Sequence, residues 1–403
     1  MRLSSVAWAC LAGLAAAAIL RSPALAFATL AASVIAALVI VVRRRLFRGV
    51  AFERRFSRRV VPWGGEVEVA LGVTNDKLLP LVWLQIRDRW PVGVTPQGFG
   101  LRKMLVLNRQ ELVQTVSLRW YERLRRRYRV LCEERGVHRF GPAEVQAGDP
   151  FGIAGVSVEW DEHADVVVLP RVLDVPAAGL LLGRPLVEEE AARSLAVDPT
   201  ALRGTRPYRP GDSVRAVNWR ATARTGVLHT NEYDPASLAA VRVLLDLGSV
   251  YRPWEGVEVE LMELLCVVAA SLASAYAEHG YAVGFASNAA GWGERRTADL
   301  EPATGALPGV LEAIARLRPY TYRDYGSVLR EEVEDDDAGS AECVVVTSRL
   351  RADVREVLAG LRRERPTTVV YVGEPRDDEA PLVDFVVPAA TDWRTADALA
   401  LRA

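Results

Sequence analysis

Residues 241–246, Val241-Arg242-Val243-Leu244-Leu245-Asp246, decide the fold of the C-terminal part of this chain. A short apolar run ending in an acid reads as a buried strand. Downstream, Leu261, Leu264, Leu265, Val268 and Leu272 recur at helical spacing, and Gly280 supplies a stop. The pattern then predicts a strand over Tyr281–Ala286 and a helix over Pro308–Leu317, with Val310, Leu311, Ile314 and Leu317 on one face. A strand over Cys343–Thr347, a helix over Asp353–Arg362 and strands over Thr368–Val372 and Asp384–Val387 complete the series. Strands alternating with helices build a mostly parallel sheet, an α/β doubly wound domain over residues 238–403. Ligands of such sheets lie at the carboxyl ends of the strands, an edge that here carries Asp246, Ser249, Ser287 and Ser348. Glu331 to Asp337 holds six acids in seven residues and reads as a flexible, solvated loop, or as an electrostatic tag for a basic partner.

Upstream, residues 50–168 change period. Glu66-Val67-Glu68-Val69-Ala70-Leu71-Gly72-Val73 alternates in twos, and Thr74-Asn75-Asp76 supplies a turn. Val82–Ile86, Gln114–Leu118, Tyr128–Leu131 and Val145–Ala147 continue as short strands. Strands at this spacing, punctuated by Gly and Pro, predict an antiparallel β-sandwich-like module. Val166-Val167-Val168-Leu169-Pro170 is a further short, buried strand that leaves the sandwich. Six arginines and the aromatics Trp120, Tyr121 and Tyr128 lie within Arg119–Arg129. Such a mixture can stack bases and hold phosphates. An exposed linker, or an edge strand blunted by charge, is the reading preferred here.

At the N-terminus two apolar runs, about 3–20 and 24–42, flank Arg21-Ser22-Pro23, and Arg43, Arg44, Arg45 and Arg48 follow. Each run approaches the length that spans a bilayer. Residues 1–48 are therefore expected to form a transmembrane helical hairpin with a basic flank. The arginines place that flank, and with it the large C-terminal part, in the cytoplasm of a multi-pass inner-membrane protein. A cleaved leader is the alternative, because Ala24-Leu25-Ala26 resembles a processing site; a mature chain starting at Phe27 would establish it. From Arg43 to Arg59 there are eight arginines and one acid, Glu53, a composition that also suits anionic headgroups.

Composition narrows the function classes. The chain has 403 residues, half of them hydrophobic and a quarter charged, enough for roughly two to three folded domains. Fifty basic residues against 51 acidic ones leave a formal charge of −1, which argues against a general nucleic-acid binder. Cys10, Cys132, Cys266 and Cys343 are mutually distant, as are His138, His163, His229 and His279. Neither set has zinc-ligand spacing, and no metal site is expected from them. No Walker motif and no nucleophile beside a base is found, so no catalytic residue is assigned.

Residues 169–237 join the two folded parts. Within them, residues 203–224 read Arg-Gly-Thr-Arg-Pro-Tyr-Arg-Pro-Gly-Asp-Ser-Val-Arg-Ala-Val-Asn-Trp-Arg-Ala-Thr-Ala-Arg. Pro210-Gly211 makes a turn, and Asp212 is a good N-cap for a helix from about Ser213. On such a helix Arg215 and Trp219 share a face, as do Arg220 and Arg224. Asp212 could pair with Arg206 or Arg224. The segment is either a structural clasp or a docking face whose arginine forks hold carboxylate or phosphate.

This segment resembles the signature of the bacterial domain-of-unknown-function 58 family, through Arg206, Tyr208, Gly211, Asp212, Arg215, Trp219, Thr222, Ala223 and Arg224. Gly148-Asp149-Pro150-Phe151-Gly152 and Val168-Leu169-Pro170 resemble its upstream elements. The resemblance implies that the C-terminal domain is von Willebrand factor type A-like. That fold often holds Mg²⁺ through an Asp-x-Ser-x-Ser loop, a later Thr and a later Asp, oxygen ligands suited to a hard cation. Here Asp246 is followed by Leu247, Gly248, Ser249 and Val250, Ser327 stands at the later Thr position, and Arg349 follows Ser348. Asp246, Ser249 and Ser327 are then the remnant of a degenerate site. A positive charge would sit where the cation should, so Mg²⁺ is disfavoured. The resemblance also implies a partner, a MoxR-type AAA+ ATPase, and a membrane-anchored scaffold or adaptor role in complex assembly or envelope processes. An envelope-associated enzyme, or a lipid or nucleic-acid binder acting through the arginine runs, are the alternatives.

Overall fold

The computed structural model describes residues 3–104, 109–148, 155–176, 202–207, 217–233, 240–248, 258–293, 297–334 and 341–402. The chain forms two compact units, Met1–Val168 and Leu169–Ala403.

The first unit opens with helices α1 (Leu3–Ile19) and α2 (Pro23–Arg45). They pack closely where a side chain on Gly13 would meet Thr29 Cγ2 at 2.7 Å, the small-residue contact that lets helix backbones approach. Within α2, Pro23–Val41 is long and apolar enough to cross a membrane, with a mean hydropathy of 2.6. Only 11% of that span is buried, so its apolar faces are left to some other surrounding.

The strands of this unit are β1 (Val50–Phe56), β2 (Val60–Val61), β3 (Glu66–Asn75), β4 (Leu81–Trp90), β5 (Val94–Pro96), β6 (Arg102–Met104), β7 (Arg109–Leu118), β8 (Arg123–Cys132), β9 (Gly136–Phe140), β10 (Ala143–Gly148), β11 (Gly155–Trp160) and β12 (Ala164–Val168). One antiparallel sheet runs β1-β3-β8-β5 and another β11-β10-β4-β7-β6. Alternate residues of both, among them Val67, Val69, Val130, Leu84, Ile86 and Val145, point into one shared apolar core. β12 instead pairs with β2 and β9 in a small third sheet. The Arg119–Arg129 segment differs from an exposed linker. Arg123–Cys132 is a strand paired with β3 along most of its length and with β5 only over Val130–Cys132. Arg123, Arg125, Arg127 and Arg129 are outward positions of a half-buried strand whose inward face carries Tyr128, Val130 and Cys132, and Arg126, on that inward parity, donates to Gln114 Oε1 at 3.2 Å.

This core also holds an ion pair. Arg54 and Asp88 join through Nη2 and Oδ1, with side chains 1% and 0% exposed. Trp90 Nε1 donates to Asp88 Oδ2 at 2.8 Å. Burial pushes the Asp88 carboxyl up, against the Arg54 cation and the Trp90 hydrogen bond.

In the second unit, β13 (Leu202–Pro207) pairs antiparallel with β14 (His229–Tyr233), and α3 (Trp219–Thr225) lies between them in sequence. The helix expected from about Ser213 falls on residues 213–216, outside the described residues, and the described helix begins only at Trp219. Val217 bridges Thr230, and Asn218 is extended with its side chain accepting from Ala221 N at 2.9 Å. Asn is as strong a cap as Asp, and β-branched Val217 favours the bridge. The expected pairing of Arg215 with Trp219 on one helix face lies outside the described residues, because Arg215 does. Gly226, at φ 71°, closes α3 in the left-handed conformation that glycine adopts without strain.

The main sheet of this unit uses β15 (Ala240–Leu245), β16 (Ala282–Gly291), β17 (Thr297–Ala303), β18 (Leu317–Thr321), β19 (Glu342–Thr347), β20 (Thr367–Val372) and β21 (Phe385–Val387). Its order is β17-β16-β15-β19-β20-β21, with β18 on β16. β16, β15, β19, β20 and β21 are parallel, and β17 and β18 run antiparallel to β16. The helices are α4 (Val259–Glu278), α5 (Leu307–Arg316), α6 (Tyr325–Glu334) and α7 (Ala352–Glu364). α6 and α7 cover Leu244, Ala286, Cys343, Val345, Val369 and Tyr371. Val243, Leu245, Val344 and Val346 are buried on the alternate side, and α4 packs on β15, β16 and β19. α4 has the length and hydropathy of a membrane span, yet 72% of it is buried, as a core helix requires.

The acidic run is only in part a loop. Glu331–Glu334 belongs to α6, and Glu332 is 3% exposed. The cause is Arg242, an arginine in the middle of central strand β15 whose Nε lies 2.7 Å from Glu332 Oε1. Asp335–Asp337 lie outside the described residues.

Candidate functional site

Five parallel strands end on one side, and β15 delivers Asp246 there. Its carboxylate is buried and fully engaged. Asp246 Oδ1 accepts from Gly248 N at 2.8 Å and from Asn288 Nδ2 at 2.7 Å. Oδ2 accepts from Thr347 Oγ1 at 3.1 Å. Arg349 Nε stands 3.9 Å from Oδ2. Asn288, in β16 just past its last pairing with β15, also accepts from Leu247 N at 3.0 Å, and Ser348 Oγ donates to Gly248 O at 3.2 Å. The ends of β15, β16 and β19 are thereby stitched through polar side chains. Burial pushes the Asp246 carboxyl up, while Arg349, Gly248, Asn288 and Thr347 pull it down; burial prevails.

A cavity of about 240 Å³ adjoins this carboxylate, lined by Asn288, Tyr322, Arg323, Tyr325, Arg349 and Arg351 among others. Tyr325 Oη donates to Leu244 O at 2.9 Å, so α6 is pinned to β15 from within the core. Arg351 reaches Asp353 Oδ2 at 3.0 Å and Asp324 Oδ1 at 3.5 Å, and Arg323 pairs with Glu331. A larger cavity of about 720 Å³ shares Tyr322 and Arg323, but its walls carry the Glu312–Arg316 pair, already closed at 2.6 Å. The buried carboxylate makes the smaller cavity the candidate.

A second charged group lies lower on the same strand. Arg242 contacts Glu332, Glu301 Oε1 at 2.8 Å and Asp299. Three carboxylates around one guanidinium leave excess negative charge, and burial lifts Glu332 to about 7. Beside them burial lifts the Cys343 thiol to about 12, which makes it unreactive.

The residues singled out from sequence divide. Asp246 is the hub of the edge. Ser249 lies outside the described residues. Ser327 Oγ donates to Asp324 O at 2.6 Å in the first turn of α6, and Ser327 does not line the Asp246 cavity. Ser287 accepts from Ala289 N at 3.3 Å. Of the signature, Tyr208, Gly211, Asp212 and Arg215 lie outside the described residues. Arg206 is half-buried on β13, where its Nη1 donates to Pro207 O at 3.3 Å. Trp219 opens α3 and is 66% exposed. Thr222 Oγ1 accepts from His229 N at 3.0 Å, which ties α3 to β14. Arg224 is exposed in the last turn of α3. The residues that sequence reasoning missed are Asn288, Thr347, Arg323 and Arg351. The sequence signal for the first two was their position at or just past the limit of an expected apolar strand, shared with many polar residues that do nothing there.

Among the described residues no three His, Cys, Asp or Glu side chains form a group that could hold a metal ion. Among the described residues the Asp246 carboxylate is ringed by hydrogen-bond donors and faces the Arg349 guanidinium, an arrangement that does not fit a divalent cation.

Residues 204–397 match the family described as "Protein of unknown function DUF58". A Bacillus subtilis (strain 168) protein, "Uncharacterized protein YeaD", is 21% identical over 311 residues, which is 75% of this chain and 71% of that protein. Among solved structures, a CARDB domain from Pyrococcus furiosus in complex with di-metal ions matches 30% of this chain and 91% of its own, with 16% identity and a TM-score of 0.20. The DNA glycosylase AlkC of Pseudomonas fluorescens matches 30% of this chain and 30% of its own, with 12% identity and a TM-score of 0.20.

Proposed function

We propose that this chain is a membrane-anchored scaffold or adaptor. Its second unit, a doubly wound, von Willebrand factor type A-like domain, holds a protein partner of the MoxR-type AAA+ ATPase class at the cytoplasmic face of the membrane. The observation that carries this proposal is the saturation of Asp246. The acid stands at the end of a central parallel strand, where ligands of such sheets gather. Three hydrogen-bond donors and the Arg349 guanidinium already engage it. What remains is an edge of exposed ion pairs around a small cavity, where a partner's carboxylates can take Arg323 and Arg351 over from Glu331, Asp324 and Asp353. The apolar span Pro23–Val41 supports the anchor, and the arginines that follow it support the cytoplasmic side.

Crosslinking in native membranes, followed by affinity purification and mass spectrometry, tests the proposal. An AAA+ ATPase should be recovered with the intact chain and lost or weakened with Arg206→Ala or Arg349→Ala. Recovery of no protein partner, together with turnover of a small molecule by the purified chain, would sink it.

A further inference from the structure

The first unit has an end, next to the exit of α2, that carries exposed apolar side chains and basic ones together. α2 finishes at Arg45, Leu46 is buried in the β core, and β1 begins at Val50. A tight turn fills the gap, with Arg48 N donating to Arg45 O at 3.2 Å and Val50 N to Phe47 O at 3.3 Å. One loop of the sandwich closes on this turn, and a second closes on the first. Asp76 N donates to Gly49 O at 2.7 Å, and Tyr121 N donates to Lys77 O at 3.3 Å. Asn75, fully buried, locks both loops: its Nδ2 donates to Leu79 O at 3.0 Å and to Arg119 O at 2.8 Å. These loops hold Leu78, Trp120 and Tyr121 at 74%, 61% and 64% exposure. Tyr121 sits at φ 53°, a conformation unfavourable for a bulky residue, which the two loops enforce and which keeps the ring outside the core. Arg48, Arg119 and Arg123 are exposed on the same end, and burial lowers the Lys77 amine to about 8.

Position relative to a bilayer follows from the helix. The apolar span ends at Val41, and the four helical residues after it rise about 6 Å. The polar layer on each side of a bilayer is only about 5 to 7 Å thick. Arg45 therefore lies at the outer edge of the headgroup layer whenever α2 spans, and the turn to Gly49, with the loops bound to it, borders that layer. Trp and Tyr favour that level because an apolar ring and a polar tip both find partners there, and arginines favour it when the lipid is anionic.

We propose that Leu78, Trp120 and Tyr121, with Arg48, Arg119 and Arg123, form a collar that seats the sandwich on anionic phospholipid headgroups around the exit of α2. The collar fixes the tilt of the sandwich on the membrane. Because it is pre-formed by Asn75, docking orders little additional chain. It rests on the membrane anchoring proposed above and adds an occupant for a second surface.

The test uses the full chain carrying Cys10→Ser, whose remaining cysteines are buried. A nitroxide is placed by Asp76→Cys beside the collar, or by Glu133→Cys just past the far end of β8, about 30 Å along the strand. Each protein is reconstituted into vesicles of equal parts phosphatidylglycerol and phosphatidylcholine, or of phosphatidylcholine alone. Accessibility to a water-soluble nickel complex is read by electron paramagnetic resonance. The Asp76 label should be protected in the anionic vesicles and less so in phosphatidylcholine, with the Glu133 label accessible in both. Adding Arg119→Gln or Arg123→Gln should lower the ratio of docked to undocked chains about fivefold each. Leu78→Ser with Trp120→Ser and Tyr121→Ser should abolish protection. All these side chains are exposed, so the fold is retained. Alkaline carbonate extraction separates the two proposals. A chain that resists extraction while both labels are equally accessible overturns the collar and leaves the anchor standing. A chain released by carbonate overturns both.

Discussion

Arg349 Nε stands 3.9 Å from Asp246 Oδ2, and the Arg349 guanidinium lies against the backbone of Gly248. A Cβ at position 248 would coincide with the guanidinium, so a side chain there displaces Arg349. The strand-end acid, the bare backbone after it and the distant arginine form one interlocked unit.

Gly248→Ala should destabilise the second unit by about 1 to 3 kcal/mol, since the arginine must leave its place. Arg349→Ala should cost about 3 kcal/mol, the low end for a buried pair, because it leaves a buried carboxylate without its cation while its three hydrogen-bond donors remain. The double variant should cost less than the sum, because the clash disappears with the guanidinium. Urea denaturation of the four proteins in one detergent measures the coupling; strict additivity would refute the interlock.

Glu332 gives a pH dependence whose sign is fixed. Its folded-state pKa is raised from 4.5 to about 7 by burial, against the pull of Arg242. Between these values the folded chain holds a proton that the unfolded chain has released, so stability falls as pH rises from about 4.5 through 7. The contribution present below 4.5 and lost above 7 is up to about 3 kcal/mol. Glu332→Gln should flatten the thermal stability profile of the second unit across this window.

The Arg54–Asp88 pair predicts an asymmetry. Arg54→Ala should cost about 3 to 5 kcal/mol, because Asp88 is then buried with Trp90 as its remaining side-chain donor. Arg54→Met combined with Asp88→Asn should recover most of that loss. Thermal melts followed by the near-ultraviolet signal of Trp90 and its neighbours report on this core.

Asn218→Ala should remove the cap of α3 and cost about 1 kcal/mol, while Asn218→Asp should be tolerated. Amide exchange at Ala221, the donor to the cap, is the local readout.

Much of the architecture was legible from period and punctuation. The strands over Glu342–Thr347 and Thr367–Val372 and the helix over Ala352–Glu364 fall within a residue or two of their expected limits. β17, β18 and α6 escaped notice. β17 alternates between half-buried and exposed positions with no strongly apolar face, and α6 buries a glutamate where a periodic apolar residue would have marked it. Of the candidate site, Asp246 and Arg349 were visible as an acid at a strand end and an arginine after a later one. Asn288 and Thr347 were not, because a polar residue at a strand end looks the same whether it faces water or a buried carboxylate.

The sequence by itself determined where apolar segments lie, how they repeat, and hence that an apolar helical segment, a run of short strands and a parallel α/β sheet succeed one another. Burial leaves a periodic trace in the chain, so that much is local information. Only the tertiary structure decided how the charges are satisfied: Arg54 with Asp88, Arg242 with Glu332, Arg349 with Asp246. Each pair joins residues distant in sequence. Which strands become neighbours is set by the packing of the whole unit, and the energy of a buried charge depends on that neighbour far more than on its own side chain.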